Sequence, residues 1–319
     1  MALTLRQLRY FVAIADAGAV ARAAQKMNVA QSALSLHVSE AEADLGVKLL
    51  ERRPRGIALT PAGQRLYEHA SSILSALGKA EHDVKTFTEV ASGPISVGLS
   101  HTAAAASSLA IMQTVRESCP KVHLIIVEGL SPSLTERVLA STLDFALVFN
   151  PSLDRRLRHE SLLEEELYLV GHRDIIGKTS EPIAFADIPQ DSVLGLDAFP
   201  ASRSIIEAQI LRNQIAPNPR LEIDSLNAMR KALEGRLGCA ILARSTVGDE
   251  LAVKKMHARR IIEPTLSRTL NLISLADHPQ TRAFIEVREL LIRIILEAVH
   301  TQQWPAKALF DRRRQSVRK

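Results

Sequence analysis

A polar helix face followed by a cluster of arginines is the part of this sequence best suited to binding a nucleic acid. Over residues 31–45 the apolar residues recur at helical spacing, and the opposite face carries short or planar polar side chains: Gln31, Ser32, Ser35 and His37. Such groups can reach base edges from a helix that lies in the major groove. A tight turn then offers guanidinium groups to phosphates or to a narrow minor groove, from Arg52, Arg53 and Arg55.

A winged helix-turn-helix over residues 1–60 would position these groups. Residues 19–26 carry apolar side chains at helical spacing, and residues 27–29 break this helix before the next one begins. An earlier amphipathic helix, with Leu8 and Phe11 on its inward face, supports the pair. A helical hairpin in a protein core would share this periodicity. It would not need three arginines on a turn directly after a polar face, so the pattern favours DNA binding.

A long helix over residues 61–91 is expected to follow, because Thr60 and Pro61 suit an N-cap and a first helical position. Its apolar residues alternate at spacings of four and three: Leu66, Ala70, Ile73, Leu77, Ala80, Val84 and Phe87. This heptad seam predicts an exposed linker helix that pairs with a second copy. The protein is therefore expected to be a homodimer or homotetramer on a dyad-symmetric site, with recognition helices one DNA turn (~34 Å) or a multiple apart.

Residues beyond the helix-stop signal at 91–94 show short apolar strands that alternate with helices. The predicted strands are 95–99, 124–127, 145–149, 167–170, 193–196, 221–223, 239–242 and 270–275. The predicted helices are 103–117, 134–140, 204–214, 226–234 and 282–299. The alternation predicts an α/β region with mainly parallel sheets.

Several short motifs occur together between residues 18 and 63: Ala23-Ala24, Gln31-Ser32-Ala33-Leu34-Ser35, Leu45-Gly46-Val47-Lys48-Leu49-Leu50, Arg52, Arg55 and Leu59-Thr60-Pro61-Ala62-Gly63. As a series they resemble the DNA-binding region of the LysR-type transcriptional regulators. The resemblance is greatest to the nitrogen assimilation control-like branch. The chain departs from the family at Ala19, Ala21 and Ala30, where members commonly have Ser or Thr, so no DNA contact is transferred to these alanines.

The second half of the chain also resembles this family, through Val97-Gly98-Leu99-Ser100, Leu143-Asp144-Phe145-Ala146 and Gly235-Arg236-Leu237-Gly238 among other segments. The resemblance implies an effector domain over residues 92–302, of the periplasmic-binding-protein type. Subdomain I would comprise residues of about 94–164 and 270–302, and subdomain II about 165–269. The chain would cross near residues 149–151 and return near 263–268. A basic tail, 303–319, would follow.

The cleft between the subdomains is the expected site for a small-molecule effector. Strand ends that meet helix N-termini collect free backbone N–H groups and suit small ligands. The expected effector-binding residues are Ser100, Thr102, Ser131, Phe149 and Asp197. Ser and Thr at such positions also serve simply as helix caps. In the nitrogen assimilation control-like branch, a vestigial cleft that needs no effector stays open as an alternative.

Length and composition fit a protein of two or three domains, with 319 residues, 46% hydrophobic and 24% charged. The net charge of +5 equals the charge of residues 303–319, so the rest of the chain is neutral and the tail is expected to be solvated. The sequence contains no apolar run of about 18 residues, so no membrane span is predicted. With no secretion signal and only Cys119 and Cys239, a cytoplasmic protein with reduced thiols is expected.

Catalytic and metal-binding patterns are not found in this sequence. The 10 histidines lack the spacing of a helical metal site. Ser118 and Lys121 have the spacing of some acyl enzymes, but Pro120 prevents the helix that would bring them together. We therefore expect no enzyme, metal or cofactor, and expect promoter DNA, an effector and RNA polymerase as partners. The alternative is a cytoplasmic solute-binding or enzymatic α/β protein whose N-terminal helices serve assembly only.

Overall fold

The computed structural model describes residues 3–53, 56–85, 90–189, 192–194, 206, 221–223 and 225–309. Two compact units make up the chain. The N-terminal unit is Met1–Phe87 with Ala140–Thr142, and the C-terminal unit is Thr88–Leu139 with Leu143–Lys319.

Three helices and a two-stranded hairpin form the first part of the N-terminal unit. They are α1 (Leu5–Ala17), α2 (Val20–Met27), α3 (Gln31–Leu45), β1 (Leu50–Arg53) and β2 (Gly56–Leu59). Phe11, Ile14 and Leu34 are fully buried at the centre of their core. Asn28 makes the turn between α2 and α3 in the left-handed conformation, at φ 56°. This arrangement confirms the winged helix-turn-helix.

The hairpin is attached to α4 (Pro61–Lys85), which begins directly after β2. The Thr60 hydroxyl donates to the Lys48 carbonyl at 2.6 Å and accepts from the Gly63 N–H at 3.0 Å. A Cβ at Gly63 would collide with the carbonyl oxygen of Leu49. Only glycine lets the backbone of α4 approach the start of β1 this closely.

The prediction that all the seam residues of α4 face a second copy is partly wrong. Ala70 is fully buried in the core of its own unit, where Leu66 also packs, because the first turns of α4 lie against α1. These two side chains therefore pack against their own chain and are not available to a second copy. Ile73, in contrast, is 46% exposed. The Val84 side chain and Phe87 lie outside the described residues.

In the part of the chain that the structure describes, the C-terminal unit is an α/β structure built on one sheet of nine strands. Its strands are β3 (Ser92–Ser100), β4 (Lys121–Gly129), β5 (Phe145–Phe149), β6 (Leu157–Gly171), β7 (Ile183–Ala184), β8 (Cys239–Ala243), β9 (His257–Ile262), β10 (Ser267–Leu275) and β11 (Lys307–Ala308). Its described helices are α5 (His101–Ser118), α6 (Ser131–Leu139), α7 (Arg173–Ile176), α8 (Leu226–Glu234), α9 (Gly248–Ala252) and α10 (Arg282–His300).

The sheet is mixed, which corrects the prediction of mainly parallel sheets. The strand order is β4-β3-β5-β10-β6-β9-β7, and β8 and β11 also pair with β6. Only β3–β4, β3–β5 and β7–β9 are parallel among the described ladders. The difference arises because two long strands, β6 and β10, run antiparallel to each other through the unit.

These two hinge strands, β6 and β10, connect two halves of the C-terminal unit. Leu163 and Leu270 pack in the core beneath α5 and α10, whereas Leu167 and Leu266 pack in a separate core with β8 and β9. The chain therefore passes between the halves inside β6, and not near residues 149–151 as predicted. It returns between Leu266 and Leu270.

Some predicted elements differ from the structure or fall outside its description. Residues 221–223 form no strand, and Val193 makes only an isolated bridge to Cys239. The helix predicted over 204–214 lies outside the described residues except for Ile206, which is helical. The first half of β6 was missed, because its glutamates interrupt the apolar pattern by which strands are recognised.

We predict that serine caps would stabilise the N-terminal unit. Ala19 and Ala30 are the N-caps of α2 and α3, and neither side chain can accept a hydrogen bond from the free N–H groups of the first turn. Ala19→Ser and Ala30→Ser should each add about 1 kcal/mol to the free energy of unfolding. Slower hydrogen exchange in peptides from α2 and α3 would report this gain. Ala43→Ser, at an exposed position inside α3, is the matched control and should give no gain.

Candidate nucleic-acid interface and candidate effector cleft

The exposed face of α3 carries three of the four predicted base-reading residues. Gln31, Ser32 and Ser35 are all exposed. Leu36 lies beside them and is 58% exposed. The sequence prediction missed Leu36 because a leucine is usually assigned to a core, but its position relative to buried Leu34 and Val38 places it on the outer face. An exposed apolar group on such a face suits contact with a thymine methyl group.

His37 is held against its own unit, which corrects its assignment to the free polar face. Its imidazole Nδ1 lies 3.1 Å from Glu40 Oε2, and its ring is tilted against Tyr10 at 5.2 Å between centroids. Only 28% of the side chain is exposed. The ring therefore fills the junction between α1 and α3 and is less available to a base edge than Gln31 or Ser35.

The hairpin places one described arginine beside a carboxylate. Arg53 Nε donates to Glu51 Oε1 at 2.9 Å, and the Arg53 side chain is 65% exposed. An exposed pair of this kind contributes little stability, so phosphate can replace the carboxylate at small cost. The backbone of Arg52 pairs with Ile57, but its side chain is not described, and Arg55 lies outside the described residues.

Glu42 ties the hairpin to α3. It is buried, its Oε1 accepts from the backbone N–H groups of Leu49 at 2.9 Å and Leu50 at 3.2 Å, and Lys48 Nζ donates to its Oε2 at 2.6 Å. Burial alone raises the pKa of Glu42, but the donors outweigh it and hold the pKa below its ordinary value. One ionised side chain therefore fixes where β1 begins relative to the recognition helix.

In the C-terminal unit, two predicted effector residues meet at an arginine that the sequence prediction missed. Arg268 Nη2 donates to Thr102 Oγ1 at 3.0 Å, and its guanidinium carbon lies 3.8 Å from the centroid of the Phe149 ring. Thr102 belongs to the first half of the unit, and its hydroxyl lies 3.4 Å from that of Thr246, which belongs to the second half. The two halves are therefore in contact at the predicted cleft.

A buried carboxylate completes this group. Glu165 Oε1 accepts from Arg268 Nε at 2.7 Å, and Glu165 Oε2 accepts from Ser245 Oγ at 2.7 Å and from Trp304 Nε1 at 2.8 Å. The Arg268 side chain is 6% exposed and the Glu165 side chain 1%. The run of charge at residues 164–166 was the available signal for Glu165, but an exposed strand edge would carry the same pattern.

The other predicted effector residues differ from one another. Ser131 Oγ accepts from the Phe149 N–H at 3.2 Å, so this hydroxyl is used to hold the end of β5. Ser100 is the N-cap of α5, but its buried Oγ has no hydrogen-bond partner among the described residues. Asp197 lies outside the described residues.

Reactive groups of other kinds are not assembled in the described part of the chain. No group of three or more His, Cys, Asp or Glu side chains there could hold a metal ion. Burial raises the pKa of Cys239 to about 12, and burial together with Glu286 raises that of Cys119 to about 11, so both thiols stay protonated at neutral pH. None of the described helices is long and apolar enough to cross a membrane.

Family models match both units of the chain. Residues 5–64 match "Bacterial regulatory helix-turn-helix protein, lysR family", and residues 88–293 match "LysR substrate binding domain". The fold and the two sites define a regulator that joins a winged helix-turn-helix to an α/β substrate-binding domain. The chain belongs to the lysR family of DNA-binding transcriptional regulators.

Two curated relatives confirm the resemblance to the nitrogen assimilation control-like branch. The nitrogen assimilation regulatory protein nac of Klebsiella aerogenes is 32% identical over 92% of this chain and 95% of its own length. The protein of the same name from Escherichia coli (strain K12) is 30% identical over 95% of this chain and 99% of its own length. The structure of full-length CbnR complexed with its target DNA has a TM-score of 0.66 and 23% identity, and covers 91% of this chain and 99% of that chain.

We predict that Glu42→Gln would loosen the hairpin in a pH-dependent way. The amide loses the charge that Lys48 and two backbone donors stabilise, so the N-terminal unit should lose about 1–3 kcal/mol of stability at pH 7. Because the folded pKa is lowered, the contribution of Glu42 is complete above the unfolded pKa and is lost as pH falls through the folded pKa.

The difference between wild type and Glu42→Gln should therefore shrink below about pH 4. Hydrogen exchange of the peptides that contain Leu49 and Leu50, at pH 7 and below about pH 4, measures this difference in stability. Glu40→Gln, on the same helix at an exposed carboxylate, is the matched control. A loss that is equal at both pH values would show that the charge of Glu42 is not what holds the hairpin.

Proposed function

We propose that this regulator reads a dyad-symmetric promoter site with the exposed face of α3 and holds the flanking backbone with its hairpin arginines. The observation that carries this proposal is the exposure of Gln31, Ser32 and Ser35 along one face of a helix packed into a helix-turn-helix core. Arg52, Arg53 and Arg55 contact phosphates or the minor groove. Ser35 and Gln31 contribute base specificity, and Leu36 supplies apolar contact.

We propose one function for each of the domains predicted from the sequence. Residues 1–60 bind DNA, residues 61–91 form the dimerising linker helix, and residues 92–302 form the regulatory domain. Its subdomains comprise about 94–164 with 270–302, and about 165–269. Separate hydrophobic cores towards the two ends of the hinge strands support this division into subdomains. Residues 303–319 follow as a tail that is basic overall.

The linker helix mediates pairing through its second half in this proposal. Ile73 is exposed and Leu77 is partly exposed, whereas Ala70 is buried in the core of its own chain. The seam that contacts a partner copy therefore begins at Ile73 and continues through Leu77 and Ala80. The resulting homodimer, or a homotetramer of two such pairs, presents two recognition helices to the two halves of the site.

An effector that binds between the two halves of the C-terminal unit would change the DNA contacts of the dimer. The match to a substrate-binding domain and the meeting of Thr102 and Phe149 at one place support this proposal. The protein acts in the cytoplasm, contacts RNA polymerase at the promoter and catalyses no reaction. That the relatives are named as regulators supports this last point.

Gel-shift binding to the DNA immediately upstream of the coding region tests this function. Regulators of this family often control themselves or a divergent neighbour. The proposal predicts a shift that survives excess nonspecific competitor and weakens as the salt concentration rises. A shift that competitor abolishes at low and at high salt concentration would contradict sequence-specific binding at this site.

We predict that Gln31→Ala and Ser35→Ala would each reduce the discrimination between specific and nonspecific DNA by about 1–3 kcal/mol. Arg52→Ala and Arg55→Ala should instead weaken binding to all sequences and flatten its salt dependence. Competition binding with matched and scrambled sites separates the two classes. An unchanged site preference in the Gln31 and Ser35 variants would refute the assigned reading face.

Leu77→Asp should dissociate the dimer, because it places a charge in the apolar seam of the linker helix. Sedimentation measures the change. Ser75→Asp, at a position that the heptad spacing leaves out of the seam, is the matched control and should leave the dimer intact. A dimer that persists in Leu77→Asp would show that assembly depends on another surface.

A further inference from the structure

An ion pair occupies the place in the cleft where an effector is expected. Arg268 and Glu165 lie side by side on the two hinge strands, and both side chains are more than nine-tenths buried. Thr102 and Phe149, two of the residues expected to contact an effector, contact Arg268 instead. The effector residues are therefore covered by groups of the protein itself.

The surroundings of Arg268 would otherwise suit a small anion. The guanidinium has a flat aromatic ring on one face and a hydroxyl in hydrogen-bond reach, at the start of an 18-residue helix whose free N–H groups favour negative charge. At the same helix start, the buried Oγ of Ser100 has no hydrogen-bond partner among the described residues. A planar carboxylate matches the forked donors of an arginine.

Glu165 supplies that carboxylate from within the chain. Because Arg268 is already neutralised, a second anion beside this pair would leave a net buried negative charge, which is strongly disfavoured. We propose that Glu165 is a built-in ligand of the effector cleft, which takes the place of a small carboxylate on Arg268 and closes the two halves of the C-terminal unit without an external anion. The proposal rests on the effector cleft of the proposed function and implies that an external effector of this cleft is not a small anion bound by Arg268.

The contacts of Glu165 explain how its carboxylate can hold the closed state. It accepts from Ser245, in the 3₁₀ turn Arg244–Val247 of the second half, and from Trp304, in the segment after α10 that packs on the first half. Arg268 extends the link to Thr102 on α5. A carboxylate at this point therefore joins both halves, and its removal frees donors on each side.

A different interpretation assigns the pair a purely structural role, as one of several internal ion pairs. Glu160 and Arg288 form such a pair between β6 and α10, within one half of the unit. The two interpretations differ in one respect. A built-in ligand lies between the two halves, where a free carboxylate can enter as they open and refill the site, whereas a pair enclosed within one half offers no such entry.

Chemical rescue of Glu165→Ala tests the proposal. The substitution removes a fragment the size of acetate and leaves Arg268 without its carboxylate. In the full-length variant, acetate in place of chloride at equal ionic strength should raise Tm by roughly 2–4 °C or more. The protein has one tryptophan, Trp304, so its fluorescence should shift in the variant and return toward the wild-type value with acetate.

Three controls make the result specific. Acetamide, which has the same shape without the charge, should not rescue the variant. Wild type should show no such response to acetate, because its site is filled. Glu166→Ala removes a neighbouring carboxylate whose partner Arg260 is 50% exposed, so water can replace it and acetate should have no effect.

The proposal is overturned if acetate fails to raise the Tm of Glu165→Ala, or raises that of wild type and Glu166→Ala equally. A variant that does not fold in chloride but folds in acetate supports it, and one that stays unfolded in both contradicts it. Sequence-specific DNA binding by wild type is measured in the same buffers. Its absence would refute the proposed function while the acetate response of Tm still decides the role of Glu165.

Discussion

A carboxylate that is taken out of water must receive hydrogen bonds from every side, and the C-terminal unit is arranged around one such group. Glu165 receives donors from Arg268 on β10, Ser245 in a 3₁₀ turn and Trp304 beyond α10. These donors are far apart in sequence. Their convergence requires the hinge strands to pair Glu165 with Arg268 and the C-terminal segment to pack beside them. The fold of the C-terminal unit and the contact between its two halves therefore depend on the same charge.

The N-terminal unit uses a carboxylate in a related way. Glu42, near the end of α3, receives two backbone N–H groups and a lysine from the first residues of the hairpin. The recognition helix and the wing are consequently positioned by one side chain. In each unit, an internal carboxylate lies beside a proposed binding site and fixes its geometry. The difference is that Glu42 is separate from the proposed DNA-reading face, whereas Glu165 lies within the proposed effector cleft.

Local patterns were sufficient to predict the elements that carry strong periodicity. The bounds of α3, β5 and α8 follow from apolar spacing and from clear stops at Gly46, Asn150 and Gly235. Such signals depend only on neighbouring residues. They also identified the exposed polar face of α3, because the buried and exposed sides of an amphipathic helix can be read from its sequence.

Most of the features that local patterns missed depend on residues far apart in the chain. Arg268 and Glu165 are separated by about a hundred positions, and nothing near either one indicates its partner. Ala70 fits a heptad seam, but α1 buries it first. His37 was placed correctly on α3, yet Tyr10 and Glu40 decide where its ring lies. Long strands with internal glutamates, such as β6, are recognisable only when their pairing partners are known.

We propose that α3 and its wing read a specific, symmetric DNA sequence as a dimer. Selection of binding sites from random DNA by the full-length protein would reveal that sequence without assuming an operator. We expect enrichment of a dyad-symmetric motif whose half-sites are about one helical turn (~10 base pairs), or a multiple of it, apart. Failure to enrich any motif over the input library would contradict sequence-specific binding, and a single unsymmetrical motif would contradict the dimeric arrangement.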